Sequence, residues 1–502
     1  MPKPEKIEES STLEELLDRL NELQIQGLLQ ELVAQQPELL DVIEHYVNQI
    51  TSLAPQPQLS KPLRRTTVDP ASWRGQVRQI LRDGVRYLEE GWEEDDPITE
   101  ELLEIIGEAQ AFTEHEEVNN ALVILEAITS SCVDGWDEVD EYGVESYEVA
   151  SAIDEAWCEA VLSAELTPEE KVDIQVNLEA WQDEWNADFA MSLEALRQGW
   201  DYPRLQQVLQ GKITELGTWE GEAPYYADDL ALIRLKILDR QERYQEYLYL
   251  AQAEGQTQQY LTMLGRLGRV SEAMQSAQTQ MSSGQEAFAL AQVLREQGSP
   301  QQALKIAQTG LSLPGNCQYD LAIWTSELAS ELGEGEAALA ARVKAFQAKP
   351  SFEDYSKVRS LASEAWSNLK VELLDHLRNH QAWGIHSAKV EIFLHEQLID
   401  DAINVVSELR SYDAPLIMRV MDEAVASRPN WVIENACRRA ESIMDAGKAQ
   451  YYHYAVEWLR KARAAYHQAG QKREWSVYRT KLMDTHARKY KLMAMLKQRD
   501  LD

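Results

Sequence analysis

The chain has 502 residues, of which 44% are hydrophobic, and a formal net charge of -37 at pH 7. This hydrophobic content excludes a chain disordered by composition, and no apolar run reaches the roughly 18–20 residues that span a bilayer. The length exceeds what one hydrophobic core supports, so we expect several domains or a stack of repeats. The polar N-terminus matches neither a secretory signal nor a basic transit peptide, so we expect a cytoplasmic protein.

Negative charge is concentrated in the first half of the chain. Residues 1–250 carry the whole net charge of -37, and residues 91–190 alone sum to -29, whereas residues 251–502 sum to zero. A field this negative repels nucleic acid and anionic membranes over most of the surface. We therefore expect a protein partner with a basic surface and no membrane partner. The oligomeric state is left open.

Residues 1–51 are predicted to form an N-terminal helical pair. Leucines from Leu13 to Leu23 recur at helical spacing, and Thr12 with Glu15 fits a capping box. Residues 52–69 contain several prolines and little apolar periodicity, so we expect a linker there.

Residues 70–215 are predicted to form an acidic helical domain. Asp69 and Asp96 each stand before a proline, which is typical of a capped helix start. Thr167 with Glu170 has the spacing of a capping box. No alternating strand pattern with turn chemistry occurs, so the fold class expected is all-α.

Residues 216–502 are predicted to form tetratricopeptide-like helical repeats that end in a basic tail. A turn residue is followed five positions later by alanine in the pairs Gly268–Ala273, Gly298–Ala303, Gly333–Ala338, Gln397–Ala402 and, upstream, Glu116–Ala121. Gly298 and Gly333 are 35 residues apart, close to the tetratricopeptide period of about 34. Glycine can end a helix in a left-handed turn, and alanine lets the next helix approach closely. We expect antiparallel helical hairpins stacked into an α-solenoid, a fold that binds partners on an extended face.

Two basic regions are candidate partner-binding sites. Arg74, Arg78, Arg82 and Arg86 recur every four residues on one predicted helix, which indicates either an anion-binding strip or a face that pairs with the acidic helices nearby. Residues 451–502 hold 12 basic and 5 acidic residues with interleaved aromatic residues, and Arg488, Lys489 and Lys491 lie close to their end. Such a tail can follow a nucleic-acid backbone, or its aromatic residues can be helix core. The 14 tryptophans of the chain likewise either fill gaps between helices or anchor a partner.

No pattern of catalytic or metal-binding residues stands out. His376 and His380 are four residues apart on a predicted helix but lack the glutamate of a zinc-protease motif, and the four cysteines lie far apart. Phosphate loops and nucleophile elbows are absent from the sequence. We therefore expect no catalytic, cofactor-binding or metal-binding residues, and no enzyme.

Several segments resemble the helical region that follows the zinc module in bacterial, especially cyanobacterial, SWIM zinc-finger proteins. They are residues 73–88, 121–130, 162–185, 191–200 and 486–496, together with Trp136. Members of that family carry a CxC…CxH module upstream, a spacing that this chain lacks, so the resemblance implies no zinc ligand here. It does imply an alternative function as an accessory factor in nucleic-acid transactions. The function favoured by the sequence is a non-catalytic protein–protein interaction scaffold.

Overall fold

The computed structural model describes residues 66–89, 97–214, 217–407, 409 and 413–497. Within these residues the regular structure is helical and no strand occurs, which confirms the all-α prediction. The predicted helical pair at residues 1–51 and most of the predicted linker at residues 52–69 lie outside the described residues. No described helix combines the length and the apolar character that crossing a membrane requires.

The helices before residue 215 are α1 (Pro70–Glu89), α2 (Pro97–Glu114), α3 (Val118–Asp140), α4 (Tyr147–Ser163), α5 (Pro168–Trp185), α6 (Ala190–Gln198) and α7 (Pro203–Leu209). The later helices are α8 (Ala227–Arg240), α9 (Tyr244–Ala253), α10 (Thr257–Arg266), α11 (Val270–Gln280), α12 (Gly284–Glu296), α13 (Pro300–Gly310), α14 (Gln318–Glu331), α15 (Gly335–Ala348), α16 (Phe352–Ala362), α17 (Trp366–Asn379), α18 (His386–His395), α19 (Ile399–Ser407), α20 (Ala414–Ala424), α21 (Pro429–Ala446), α22 (Tyr452–Gln468), α23 (Lys472–Thr485) and α24 (Tyr490–Leu496).

Neighbouring helices pack on one another along the chain. The most extensive contacts join the two helices of a hairpin, as in α12 with α13, α14 with α15 and α21 with α22. Successive hairpins also touch, for example through α10 and α12. This arrangement is the predicted solenoid of helical hairpins, whereas the more specific tetratricopeptide identity stays a prediction.

The hydrophobic core consists of three clusters that follow one another along the chain. The first runs from Val77 to Ile237, the second from Leu205 to Ala338, and the third from Phe346 to Leu496. Helix α8 contributes to the first two clusters, so it joins the acidic region to the hairpins that follow. The predicted division at residue 215 stays a prediction.

Three helices begin where the sequence predicts. Helices α1 and α2 start at prolines, and the Ala71 backbone N–H donates to the Asp69 carboxylate at 3.0 Å. At the start of α5 the Glu170 N–H donates to Thr167 Oγ1 at 3.2 Å, and the Thr167 N–H donates back to the Glu170 carboxylate at 2.8 Å. This confirms the predicted capping box.

The predicted repeat turn is also confirmed. The backbone is left-handed at every predicted turn residue, with φ of 69° at Gly268, 73° at Gly298, 77° at Gly333, 60° at Gln397 and 63° at Glu116. At Gly298 the glycine N–H donates to the Arg295 carbonyl at 3.0 Å and the Ser299 N–H donates to the Leu294 carbonyl at 2.8 Å. This pair of bonds is a Schellman motif, which satisfies carbonyl groups that the end of a helix leaves open.

The residue five positions after each turn lies in the core. All five predicted alanines are fully buried: Ala121, Ala273, Ala303, Ala338 and Ala402. The same left-handed turn occurs at Glu242 and Gly470, where the fifth residue is the buried Tyr247 or Trp475. The sequence pattern missed these two turns because it required alanine, whereas the structure requires only a side chain that fills the gap between two helices.

We expect Gly298→Ala to lower the free energy of unfolding by about 1 kcal/mol, because an L side chain is strained at a left-handed position. A Cβ at Gly298 meets no atom within 4 Å, so the change in the free energy of unfolding reports backbone strain without a contribution from packing. Gly335→Ala is the control, since its Cβ also meets open space but its backbone is not left-handed. Urea unfolding of both variants measures the difference, and equal stabilities would refute the role of the turn.

Candidate functional site

The turn between α3 and α4 concentrates exposed negative charge. Six exposed carboxylates surround it: Asp137, Glu138, Asp140, Glu141, Glu145 and Glu148. In the part of the chain that the structure describes, none of the six forms an ion pair with a basic side chain. Tyr142 and Tyr147 are exposed in the same segment. We call these eight residues the acidic turn.

The buried carboxylate of Glu159, in contrast, has two cationic partners. Glu159 in α4 lies 2.9 Å from Lys236 Nζ and 2.8 Å from Arg240 Nη1 in α8. Lys236 also lies 2.8 Å from Glu114 in α2, and the pKa of Glu114 is lowered by its hydrogen bond and charge interaction with Lys236. The cations of α8 therefore stabilise the buried Glu159 and pair with the exposed Glu114, and within the described residues they form no ion pair with the acidic turn.

Two buried ionisable groups have neutral hydrogen-bond partners instead. The Ser192 backbone N–H donates to the Asp154 carboxylate at 2.9 Å, and burial raises the pKa of Asp154 to about 6 although hydrogen bonds from Ser192 oppose the shift. Arg234 donates to Gln198 Oε1 at 2.7 Å, while its Nε has no partner. Burial lowers the pKa of Arg234 to about 10. Both groups join helices of the first core cluster and are inaccessible to a ligand.

The predicted arginine stripe lies along α1 beside the acidic helices. Arg78, Arg82 and Arg86 are exposed and Arg74 is half-buried. Arg78 lies 3.6 Å from Asp134 of α3, and Arg86 lies 3.7 Å from Asp83 of its own helix. Arg78 thus pairs with a neighbouring acidic helix, whereas Arg86 pairs only within its own helix. Their role in binding a partner stays a prediction.

The basic tail divides its predicted residues between two roles. Arg488 and Lys491 are exposed, and Tyr490 beside them is 85% exposed. Lys489 is half-buried, and its ammonium group donates to the Met444 carbonyl at the end of α21. A lysine at this position gives a hydrogen-bond donor to a carbonyl group that has no partner within its helix, and its charge interacts favourably with the helix dipole. Lys489 therefore stabilises the fold.

We expect Lys489→Ala to lower the free energy of unfolding by about 1 kcal/mol, because it removes the hydrogen bond to Met444. Lys491→Ala removes an equal charge from the exposed surface and should change stability by less than about 0.5 kcal/mol. Chemical unfolding of the two variants compares them. Equal losses would show that Lys489 has no capping role.

Most aromatic residues of the tail belong to the core. Trp458 and Trp475 are buried, and Tyr466 and Tyr478 are half-buried, with the Tyr478 hydroxyl donating to Glu441 at 2.7 Å. Tyr490 is the most exposed aromatic residue of the tail within the described residues, and Tyr451 and Tyr454 at its start are exposed as well. The tryptophans elsewhere are also buried or half-buried in the described residues, except Trp383, which is fully exposed in the loop before α18. Nothing in the sequence distinguished Trp383 from the others.

The predicted histidine pair makes contacts within the fold. His376 Nε2 lies 3.0 Å from the Gln347 carbonyl, and the rings of His376 and His380 are 5.2 Å apart. No group of three or more His, Cys, Asp or Glu side chains within the described residues has the geometry to hold a metal ion.

Comparison with models of known protein families gives no match, and comparison with curated proteins gives none either. The resemblance to SWIM zinc-finger proteins therefore stays a prediction.

Proposed function

We propose that this protein is a non-catalytic interaction scaffold whose acidic face binds a partner protein with a basic surface. The observation that carries the proposal is the acidic turn, whose six exposed carboxylates form no ion pair with the cations of the described residues and are held in place by packed helices. A cationic partner would relieve their mutual repulsion. The same field would raise the association rate at low ionic strength. The stacked hairpins support the proposal because such folds expose a long surface relative to their core.

We expect neutralisation of the acidic turn by Asp→Asn and Glu→Gln at its six carboxylates to reduce partner capture about tenfold at low salt. The readout is capture of basic proteins from native lysate by the tagged chain, quantified by mass spectrometry. The control neutralises six exposed carboxylates elsewhere, which gives the same net charge: Glu296, Asp320, Glu327, Glu334, Glu336 and Glu364. The mechanism would be contradicted if the amount of captured partner changed neither with ionic strength nor on neutralisation of the acidic turn.

A second candidate function is that of an accessory factor in nucleic-acid transactions. It is favoured by the exposed Tyr490 between Arg488 and Lys491, a combination that can stack a base and neutralise phosphates. The SWIM resemblance supports it as well. The strongly negative charge of the first half opposes it.

We expect this second function, if it operates, to give salt-dependent binding of a fluorescent single-stranded oligonucleotide. The double variant Arg488→Ala/Lys491→Ala should weaken that binding and flatten its salt dependence, because two phosphate contacts are lost. Lys472→Ala/Arg473→Ala, which removes two other exposed cations, is the control. No binding by the wild-type chain at low salt would eliminate this function.

A further inference from the structure

Helix α5 has a well-packed inner face. Leu178 and Trp185 are buried, and Ile174 and Trp181 pack against the first core cluster. The Trp185 ring lies 5.1 Å from that of Trp136 in α3, and the Trp181 ring lies 6.2 Å from that of Trp157 in α4. Together with the capping box at Thr167, these contacts fix the position of the helix.

The outer face of α5 carries a second set of apolar side chains, which the described part of the chain leaves exposed. Val172 is 58% exposed and Val176 is 56% exposed, one helical turn apart. Helix α5 packs on α3 and α6 and touches α4 through Trp181, and its buried or partly buried residues Leu178, Trp181 and Trp185 lie on the opposite side of the helix from these valines. An isolated exposed valine needs no explanation, but two on one ridge of an anchored helix form a continuous apolar strip.

Carboxylates continue this strip at both ends. Glu169, Val172, Val176, Glu179 and Asp183 follow one another at steps of three and four residues, the spacing of a coiled-coil seam. We call these five residues the α5 seam. Its three carboxylates are exposed, and none forms an ion pair within the described residues. The seam therefore presents a two-valine centre between negative ends.

We infer that the α5 seam is the docking site for a cationic amphipathic helix of the partner protein. This inference rests on the proposed function and names the surface and the partner's chemistry. A helix laid along the seam would place apolar side chains against Val172 and Val176. Its Lys or Arg side chains, one turn further in each direction, would meet Glu169, Glu179 and Asp183. Because α5 is already rigid, only the incoming helix loses conformational freedom on binding.

Charge decides between this occupant and a second copy of the chain. Each copy has a net charge of -37, and the region around the seam is its most acidic part, so two copies repel there. A helix that is both apolar and basic can contact the valines at the centre of the seam and the carboxylates at its ends at the same time. The carboxylates attract a cationic helix at long range. Once the helix is in contact, the valines favour one whose apolar side chains have the matching spacing.

The test uses the full-length chain and a fluorescent synthetic peptide of about 18 residues, helical in design, with Leu at two central seam positions and Lys at the flanking ones. A second peptide has the same composition in scrambled order. The chain variants are Val172→Ser/Val176→Ser and Glu169→Gln/Glu179→Gln/Asp183→Asn. The matched control is Val371→Ser/Val477→Ser, which alters valines that are 64% and 71% exposed on other helices. Circular dichroism verifies that all the variants keep their helical content.

We expect the Val172→Ser/Val176→Ser variant to bind the patterned peptide about tenfold more weakly, with no change for the control variant. The carboxylate variant should lose affinity at low salt and differ less from wild type at high salt. The scrambled peptide should bind more weakly than the patterned one and should not respond to the valine substitutions.

Equal affinity of the wild-type chain and the valine variant for the patterned peptide would overturn the inference. Self-association of the wild-type chain in sedimentation velocity, abolished by the valine substitutions, would also overturn it, because the occupant would then be a second copy. Partner capture that depends on the acidic turn but not on the α5 seam would leave the proposed function intact and refute this surface alone.

Discussion

The hairpins depend on one constraint: a helix must end without leaving its last carbonyl groups unsatisfied, and the chain must then turn back within a few residues. The left-handed residue of the Schellman turn meets both requirements, and the buried residue five positions later packs between the two helices. Glu116 and Gln397 adopt this conformation although they carry side chains, which shows that packing of the following helix outweighs the local strain.

Close helix packing also limits where charged side chains can lie. A buried carboxylate needs a cation or hydrogen-bond donors. Glu159 has two cations and Asp154 has Ser192, but the chain contains 85 Asp and Glu against 48 Lys and Arg. The surplus must lie on the surface, where the acidic turn and the α5 seam hold carboxylates at fixed positions. Their repulsion destabilises the free protein slightly and would be relieved by the proposed cationic partner, so the same residues that cost stability would favour the proposed binding.

The sequence predicted the fold well because its signals are local. Capped helix starts at Asp69 and Thr167 and the turn at Gly298 each need only a few neighbouring residues. The surface roles were harder to predict, since they depend on which neighbour reaches a side chain. Lys489 was predicted as a binding residue, yet it donates to Met444, 45 residues earlier. A helical wheel of residues 168–185 would have found two apolar faces, but only the packed structure identifies Val172 and Val176 as the exposed one.

The most direct test of the scaffold account is to isolate the tagged full-length chain from native lysate, with and without nuclease, and to identify what accompanies it by mass spectrometry. We expect a protein with a basic surface to accompany the chain in a fixed ratio, to be retained after nuclease treatment and to be released by salt. Partners that disappear with nuclease, or nucleic acid recovered alone, would contradict it and favour the exposed cations beside Tyr490 as the functional surface.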